Sequence, residues 1–384
     1  MLFLSLPLVV IFLSSPMGYL SNHRYILYLL SIISCFVLRN CSINALPASF
    51  VFGDSLVDVG NNNYIVTLSK ADRMPNGIDF PTHQPTGRFT NGRTIADILG
   101  QELGLKNFTP PYMAPTTVGP AVLQGVNYAS GAGGILDQTG RLFGGRINLD
   151  AQIDNFANTR EYIISSLGMP AALSLLRNAL FSVAIGSNDI INNYLIPVVS
   201  APERAVVSPE AFVESMISKF RMQLTRMYLL GARKIIVANV GPIGCIPYQR
   251  DTNPSTGSNC VEFPNQMAQS YNKRLKDLLL ELRSSLEGAL IAYANVYHIV
   301  ADIIQHHTNY GFDVADSACC FVAGQFGGLV PCGPTSKVCP DRSKYVFWDP
   351  YHPSDATNMV IAQRLLDGDL NDVYPMNVRR LVSA

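Results

Sequence analysis

An α/β fold, built on a five-stranded parallel sheet covered by helices on both faces, is what the order of elements in this chain predicts. Three observations carry that expectation. Five short apolar runs alternate with segments of helical periodicity, the pattern that right-handed crossovers require. Several of the runs stop in Gly, Ser, Asn or Asp, as strands do where an open sheet gathers its ligands. No internal repeat or low-complexity segment divides the chain, so residues 46–384 read as a single domain.

The first strand, residues 48–52, runs into Gly53-Asp54-Ser55 and then Asp58 and Gly60-Asn61-Asn62-Asn63. Ser55 thus sits at a strand's carboxyl end and is the first nucleophile candidate; a capping role for Asp54 or Ser55 is the plain alternative. The Gly-x-Ser-x-Gly elbow is absent because Leu56 and Val57 follow the serine, so a catalytic Ser55 belongs to a different architecture. A loop over 75–93 leads to a helix beginning near Arg93, with Ile95, Ile98, Leu99 and Leu103 at helical spacing and Gly104 closing it. The second strand is a brief one at 125–129, ending in the glycine-rich turn 131–134. Such a turn leaves backbone N–H groups free, but it has neither the dinucleotide pattern nor a P-loop. Helices over 148–167 and 170–178 precede the third strand, 180–186, which ends in Ser187-Asn188-Asp189. Ser208-Pro209 opens a long helix that Gly231 closes. Residues 234–240 are the fourth strand, 262–287 a helix, 289–296 the fifth strand and 297–307 another helix. The last helix starts after Pro353, and its Met359, Val360, Leu365 and Leu366 are expected to pack it beside the first strand. That packing would bring Asp349 and His352 to the rim that carries Ser55.

Composition narrows the class. With 48% hydrophobic and 15% charged residues, the chain can bury a large core, and zero formal net charge without a basic run offers nucleic acid no electrostatic footprint. Residues 1–45 read as a signal peptide with cleavage near Ala45, the first sixteen being a start-site extension. Each apolar run there falls short of the roughly 20 residues of a spanning helix, so secretion, with no stable span in the mature protein, is expected over a membrane anchor. Cys35 and Cys41 leave with the leader; Cys245, Cys260, Cys319, Cys320, Cys332 and Cys339 form an even set suited to an oxidising compartment. Cys245 and Cys260 bracket one loop and are expected to pair, the other four among themselves. Zinc is disfavoured, because no Cys-x-x-Cys occurs and the histidines lack ligand spacing. Asn107-Phe108-Thr109 is a glycosylation sequon.

A serine nucleophile needs a base, and the base needs a partner that fixes its tautomer. Asp349 and His352 suit those jobs at a spacing that lets the carboxylate reach the ring. Donors for an oxyanion are the Ser55 N–H, the Gly131 N–H and the Asn188 side-chain amide, each after a different strand. Asn188 as a cap, and Asp189 as the acid, are the competing readings.

Four blocks, Phe52-Gly53-Asp54-Ser55 with Asp58 and Gly60-Asn61-Asn62-Asn63, Asn127-Tyr128-Ala129-Ser130-Gly131, Gly186-Ser187-Asn188-Asp189 and Asp349-Pro350-Tyr351-His352-Pro353, occur in this order. Together they resemble the plant-type GDSL esterase/lipases of the SGNH hydrolase superfamily. The resemblance implies a flavodoxin-like three-layer α/β/α sandwich, Ser55 as nucleophile, Asp349 and His352 completing the triad, and Ser55, Gly131 and Asn188 as the oxyanion hole. It further implies hydrolysis of carboxylic esters, lipid or other small acyl esters, through an acyl-serine intermediate without metal or organic cofactor. His83, His298, His306 and His307 have no block around them and are expected to be surface or structural. Acyl transfer through the same triad, and a catalytically silent extracellular binding protein, are the alternatives. Residues 70–92 and 197–208 are expected to wall the pocket.

Overall fold

The computed structural model describes residues 46–196, 205–254, 257 and 259–384. The leader expected over 1–45 and residues 197–204 of an expected pocket wall lie outside them.

Four strands, β1 (Ser49–Gly53), β2 (Leu180–Ala184), β3 (Lys234–Ala238) and β4 (Leu290–Ala294), pair in parallel in that order. Their near-continuous apolar sequences suit strands covered on both faces. The sheet's fifth regular member is not the one expected: Val373–Tyr374 pairs antiparallel with β4. The stretch 125–129 lies instead along the free edge of β1 and bonds to it in parallel fashion. The Val51 N–H donates to Val126 O at 3.1 Å, Tyr128 N–H to Val51 O at 2.7 Å and Ser130 N–H to Gly53 O at 3.1 Å. Its other edge is occupied by residues 110–112 and by the Asn61 amide, which donates to Asn127 O and Ala129 O, so it forms bridges and no regular strand.

Counting that stretch second, the spatial order is 2-1-3-4-5, and the chain reverses its winding direction between β1 and β2. Open sheets bind ligands outside the carboxyl ends of the strands at such a switch point. Ser55 follows β1 and Asn188 follows β2, so both stand at that crevice.

The long helices are α1 (Ile95–Glu102), α2 (Leu149–Leu167), α3 (Met169–Asn178), α4 (Pro209–Leu229), α5 (Glu262–Ser285), α6 (Val296–Gln305) and α7 (Asp355–Asp367). Local chemistry sets several starts. Thr94 and Asp97 form a reciprocal capping box on α1, and Ser208 and Ser354 cap α4 and α7 through their hydroxyls. Helix α4 packs between α2 and α5 on one side of the sheet, while α7 packs against α1 and α6 on the other. The result is the expected three-layer α/β/α sandwich.

The two faces of the sheet carry different side chains. Phe50 and Phe52 of β1 and Phe181 of β2 share one face and meet Phe156 of α2 at ring separations of 5.3, 5.8 and 5.3 Å. The opposite face carries Gly53, Ala184, Ala238 and Ala294 in register across four strands. Helix α7 covers part of that face through Ile361, Ala362, Leu365 and Leu366; Met359, expected inward, falls at the edge of this stripe and is 48% exposed, and Val360 is half-buried.

Three disulfides close the carboxyl-terminal half: Cys245–Cys260, as expected, with Cys319–Cys339 and Cys320–Cys332. All six cysteines are thereby removed from metal ligation.

Candidate active site

Gly53 ends β1 where its neighbour allows no side chain, since a Cβ there would lie 2.4 Å from Ala184 O. Gln152 of α2 reaches this point: its Oε1 accepts the Gly53 N–H at 2.9 Å and its Nε2 donates to Gly53 O at 2.7 Å. The end of β1 is thus tied to a helix, and the next turn lifts Ser55 to the rim. The Ser55 Oγ lies 2.8 Å from Nε2 of His352. The other ring nitrogen, Nδ1, is 2.8 Å from both oxygens of Asp349. Serine, histidine and aspartate, separated by 297 and 3 positions, therefore meet as the sequence predicts.

Asp349 is held before it holds the ring. Its Oδ1 accepts the backbone N–H groups of Tyr351 and His352, both at 2.8 Å, so the turn 349–352 closes around the carboxylate. Residues 347–348 are fixed from behind, because Cys319 N–H donates to Phe347 O at 3.0 Å and Cys320 N–H to Trp348 O at 2.7 Å. Trp348 is fully buried against the Cys319–Cys339 and Cys320–Cys332 bridges, with its indole N–H on Asn76 Oδ1 at 2.9 Å. The disulfide-bonded loop is therefore the platform of Asp349 and His352. On the near side, the Phe89 ring lies 5.2 Å from the His352 ring.

The donors divide differently from expectation. Among the described residues, no protein acceptor takes the Ser55 N–H. Asn188 lines the crevice; its Nδ2 donates to Gly133 O at 3.0 Å and its Oδ1 accepts from Asn192, leaving the second amide hydrogen. Gly131 does not offer its N–H to the crevice: that group donates to the buried Asp58 Oδ2 at 3.0 Å. A glycine is needed at 131 for packing, since a Cβ would come within 2.6 Å of Phe89 and 2.7 Å of Ser69 Oγ. The N–H groups of Gly133 and Gly134 are likewise engaged, by Ser130 O and Asn148 Oδ1. Ala132 is the residue of this turn that lines the crevice, and its N–H has no protein acceptor among the described residues. It holds φ = 65°, a left-handed conformation costly for a residue with a Cβ. Nothing in the sequence marks an alanine for that conformation, which a glycine adopts far more readily.

Asp189 is no competitor for the acid. Its carboxylate is buried and accepts Ile135 N–H, Leu136 N–H and Thr139 Oγ1–H at 2.9, 2.9 and 2.7 Å, pinning the glycine-rich turn. Asp58 does the same for the other end, accepting the N–H groups of Gly60, Asn61 and Gly131. Burial pushes both acids up to about 6. Asp54, next to Ser55, is fully buried with Oδ1 on the Leu56 N–H and Oδ2 unpartnered among the described residues, and desolvation pushes it up to about 7. His83, His298 and His306 are exposed and His307 half-buried; none lines the crevice.

Behind Ser55 the crevice opens into a cavity of about 230 Å³ with a largely apolar lining. Of the loops expected to wall it, residues 70–92 contribute Lys70, Asn76 and Phe89.

Residues 50–365 match the profile of the GDSL-like lipase/acylhydrolase family. The chain is 61% identical to GDSL esterase/lipase At4g16230 of Arabidopsis thaliana, over 88% of this chain and 91% of that protein. It is 54% identical to GDSL esterase/lipase At3g50400 of the same plant, over 88% and 91% respectively. Similarity of this extent, carried by a chain that assembles serine, histidine and aspartate at the switch point of an α/β/α sandwich, places the chain in the GDSL-like lipase/acylhydrolase family.

Proposed function

We propose that this carboxylic-ester hydrolase works through an acyl-Ser55 intermediate. The observation that carries the reading is the continuous chain of 2.8 Å contacts from Ser55 Oγ through His352 to Asp349. His352 Nε2 takes the hydroxyl proton as Oγ attacks the ester carbonyl carbon, while Asp349 holds Nδ1–H in place and stabilises the imidazolium that forms. The carbonyl oxygen gains the negative charge, and this reading assigns it the N–H groups of Ser55 and Ala132 and the second amide hydrogen of Asn188 as donors. Collapse breaks the ester C–O bond, and His352 delivers its proton to the departing alcohol. Water, deprotonated by the same Nε2, then attacks the acyl carbon and releases the acid, restoring Ser55. No step calls for a metal or organic cofactor.

A secreted location supports this reading and is supported by separate features. The three disulfides suit an oxidising compartment. Asn107 is exposed, as glycan attachment requires. Among the described residues no helix is long and apolar enough to cross a membrane.

The test is hydrolysis of p-nitrophenyl acetate by the disulfide-bonded protein. Ser55→Ala or His352→Ala should lower kcat by roughly 10⁴ or more, and Asp349→Asn by less. Turnover by Ser55→Ala equal to wild type refutes the mechanism.

A further inference from the structure

In a sheet covered on both faces, residues of the central strands are expected to be buried, yet Ser182 and Ala184 of β2 and Ala238 of β3 are not. All three lie on the same face, and they line the 230 Å³ cavity behind Ser55. The cause is in the sequence. The opposite face is filled by phenylalanines, whereas this one presents Gly53, Ala184, Ala238 and Ala294 in one row and leaves space under α1 and α7. Leu99 of α1 and Leu365 of α7 line that space, and Ser182 lies two residues before Ala184, about 7 Å farther along the strand from the end that carries Ser55. None of the residues that β2, α1 and α7 contribute to the lining is charged, so a hydrocarbon meets apolar contacts there, whereas the polar groups of a sugar or peptide would find few partners.

We propose that this space is an acyl subsite, which takes a straight acyl chain of about eight to ten carbons beneath the sheet, with Ser182 setting its length. The size follows from comparison with an apolar cavity of about 150 Å³ that holds the six carbons of benzene. The assignment rests on the esterase reading above and fits its chemistry. The acyl group stays bonded to Ser55 between the two half-reactions, so it suits a pocket with a closed end. The alcohol must leave and water must enter by the open mouth, which Leu68, Lys70 and Pro331 border.

The experiment compares kcat/KM for p-nitrophenyl decanoate and acetate in wild type and Ser182→Phe. The ratio does not depend on the fraction of active protein. Wild type should prefer the decanoate by about tenfold or more, and Ser182→Phe should cut that preference at least tenfold. Leu365→Ala, which lengthens the space, should raise the dodecanoate-to-decanoate ratio. A preference that neither variant moves overturns the subsite while leaving the esterase reading intact. Calorimetric titration of Ser55→Ala with decanoate separates the two readings without turnover. Binding weakened at least tenfold by added Ser182→Phe supports the subsite even if no ester is cleaved, and no binding, or binding indifferent to that change, refutes it.

Discussion

On the proposed mechanism, Asn188 divides one side chain between structure and chemistry. One amide hydrogen and the oxygen hold Gly133 and Asn192, which leaves one hydrogen for a developing oxyanion. Asn188→Ala should therefore lower kcat about 10²–10³-fold with KM little changed, the pattern of an interaction made in the transition state. A rise in KM at constant kcat, in steady-state kinetics on p-nitrophenyl acetate, would assign the amide to ground-state binding instead. Asp54 lies beside this machinery and faces the charges of His352, Asp58 and Asp189. Unfolded, it ionises near pH 4; folded, burial keeps its proton to about pH 7. Between those values the unfolded chain gives up its proton first, so Asp54 makes the protein less stable as pH rises from 4 to 7, and the loss levels off above. Asp54→Asn keeps an acceptor for the Leu56 N–H and removes that loss. Its urea midpoint should climb relative to wild type across this window, by at most about 1.4 kcal/mol per pH unit. A difference constant with pH would remove Asp54 from the account.

At the scale of elements, Ser55, Asp349 and His352 lie on separate segments, and each segment is held by groups outside the triad. Gln152 secures the end of β1 through both backbone groups of Gly53. Gln152→Leu leaves the buried Gly53 N–H unpaired, while the Gly53 C=O keeps the Ser130 N–H, so a stability loss of about 1–3 kcal/mol is expected together with a fall in kcat. Chemical denaturation and turnover measured on the same preparation check both. The disulfide loop supports the other side of the site through its bonds to Phe347 and Trp348. Replacing Cys320 and Cys332 together by serine should cost about 2–4 kcal/mol and lower kcat more than KM, because it loosens the strand that leads to Asp349. Unchanged kcat in the folded double variant would show that Trp348 packing suffices. Both supports are invisible as patterns: a glutamine in a helix and a cysteine pairing gain meaning only from what lies beside them.

Across the whole molecule, the sheet divides labour between its faces. The Phe50, Phe52, Phe156 and Phe181 cluster anchors one face, and each ring fully buried contributes on the order of 1.5–3 kcal/mol. Phe181→Ala should lower stability by about 3–5 kcal/mol, read by urea denaturation, with the decanoate-to-acetate ratio unmoved, since the cavity lies on the other side. A shift in that ratio would mean that the two faces are coupled.

The order of the four parallel strands and of the long helices, the three-layer class, the meeting of Ser55, His352 and Asp349, and the Cys245–Cys260 pairing were legible in the sequence. Each rests on local chemistry: apolar period, caps, a carboxylate in a turn three positions from a histidine, two cysteines bracketing one loop. The tertiary structure decided what depends on which group arrives first at a shared partner. It gave the Gly131 N–H to Asp58 and left that of Ala132, which lines the crevice, without a protein acceptor among the described residues. It put residues 125–129 against β1 by bridges because Asn61 and residues 110–112 already held the other edge, and it set Val373–Tyr374 in the sheet instead. It also turned a row of small residues into a cavity. Their sequence shows only that they are small; whether neighbouring helices fill the space is a matter of packing across the fold.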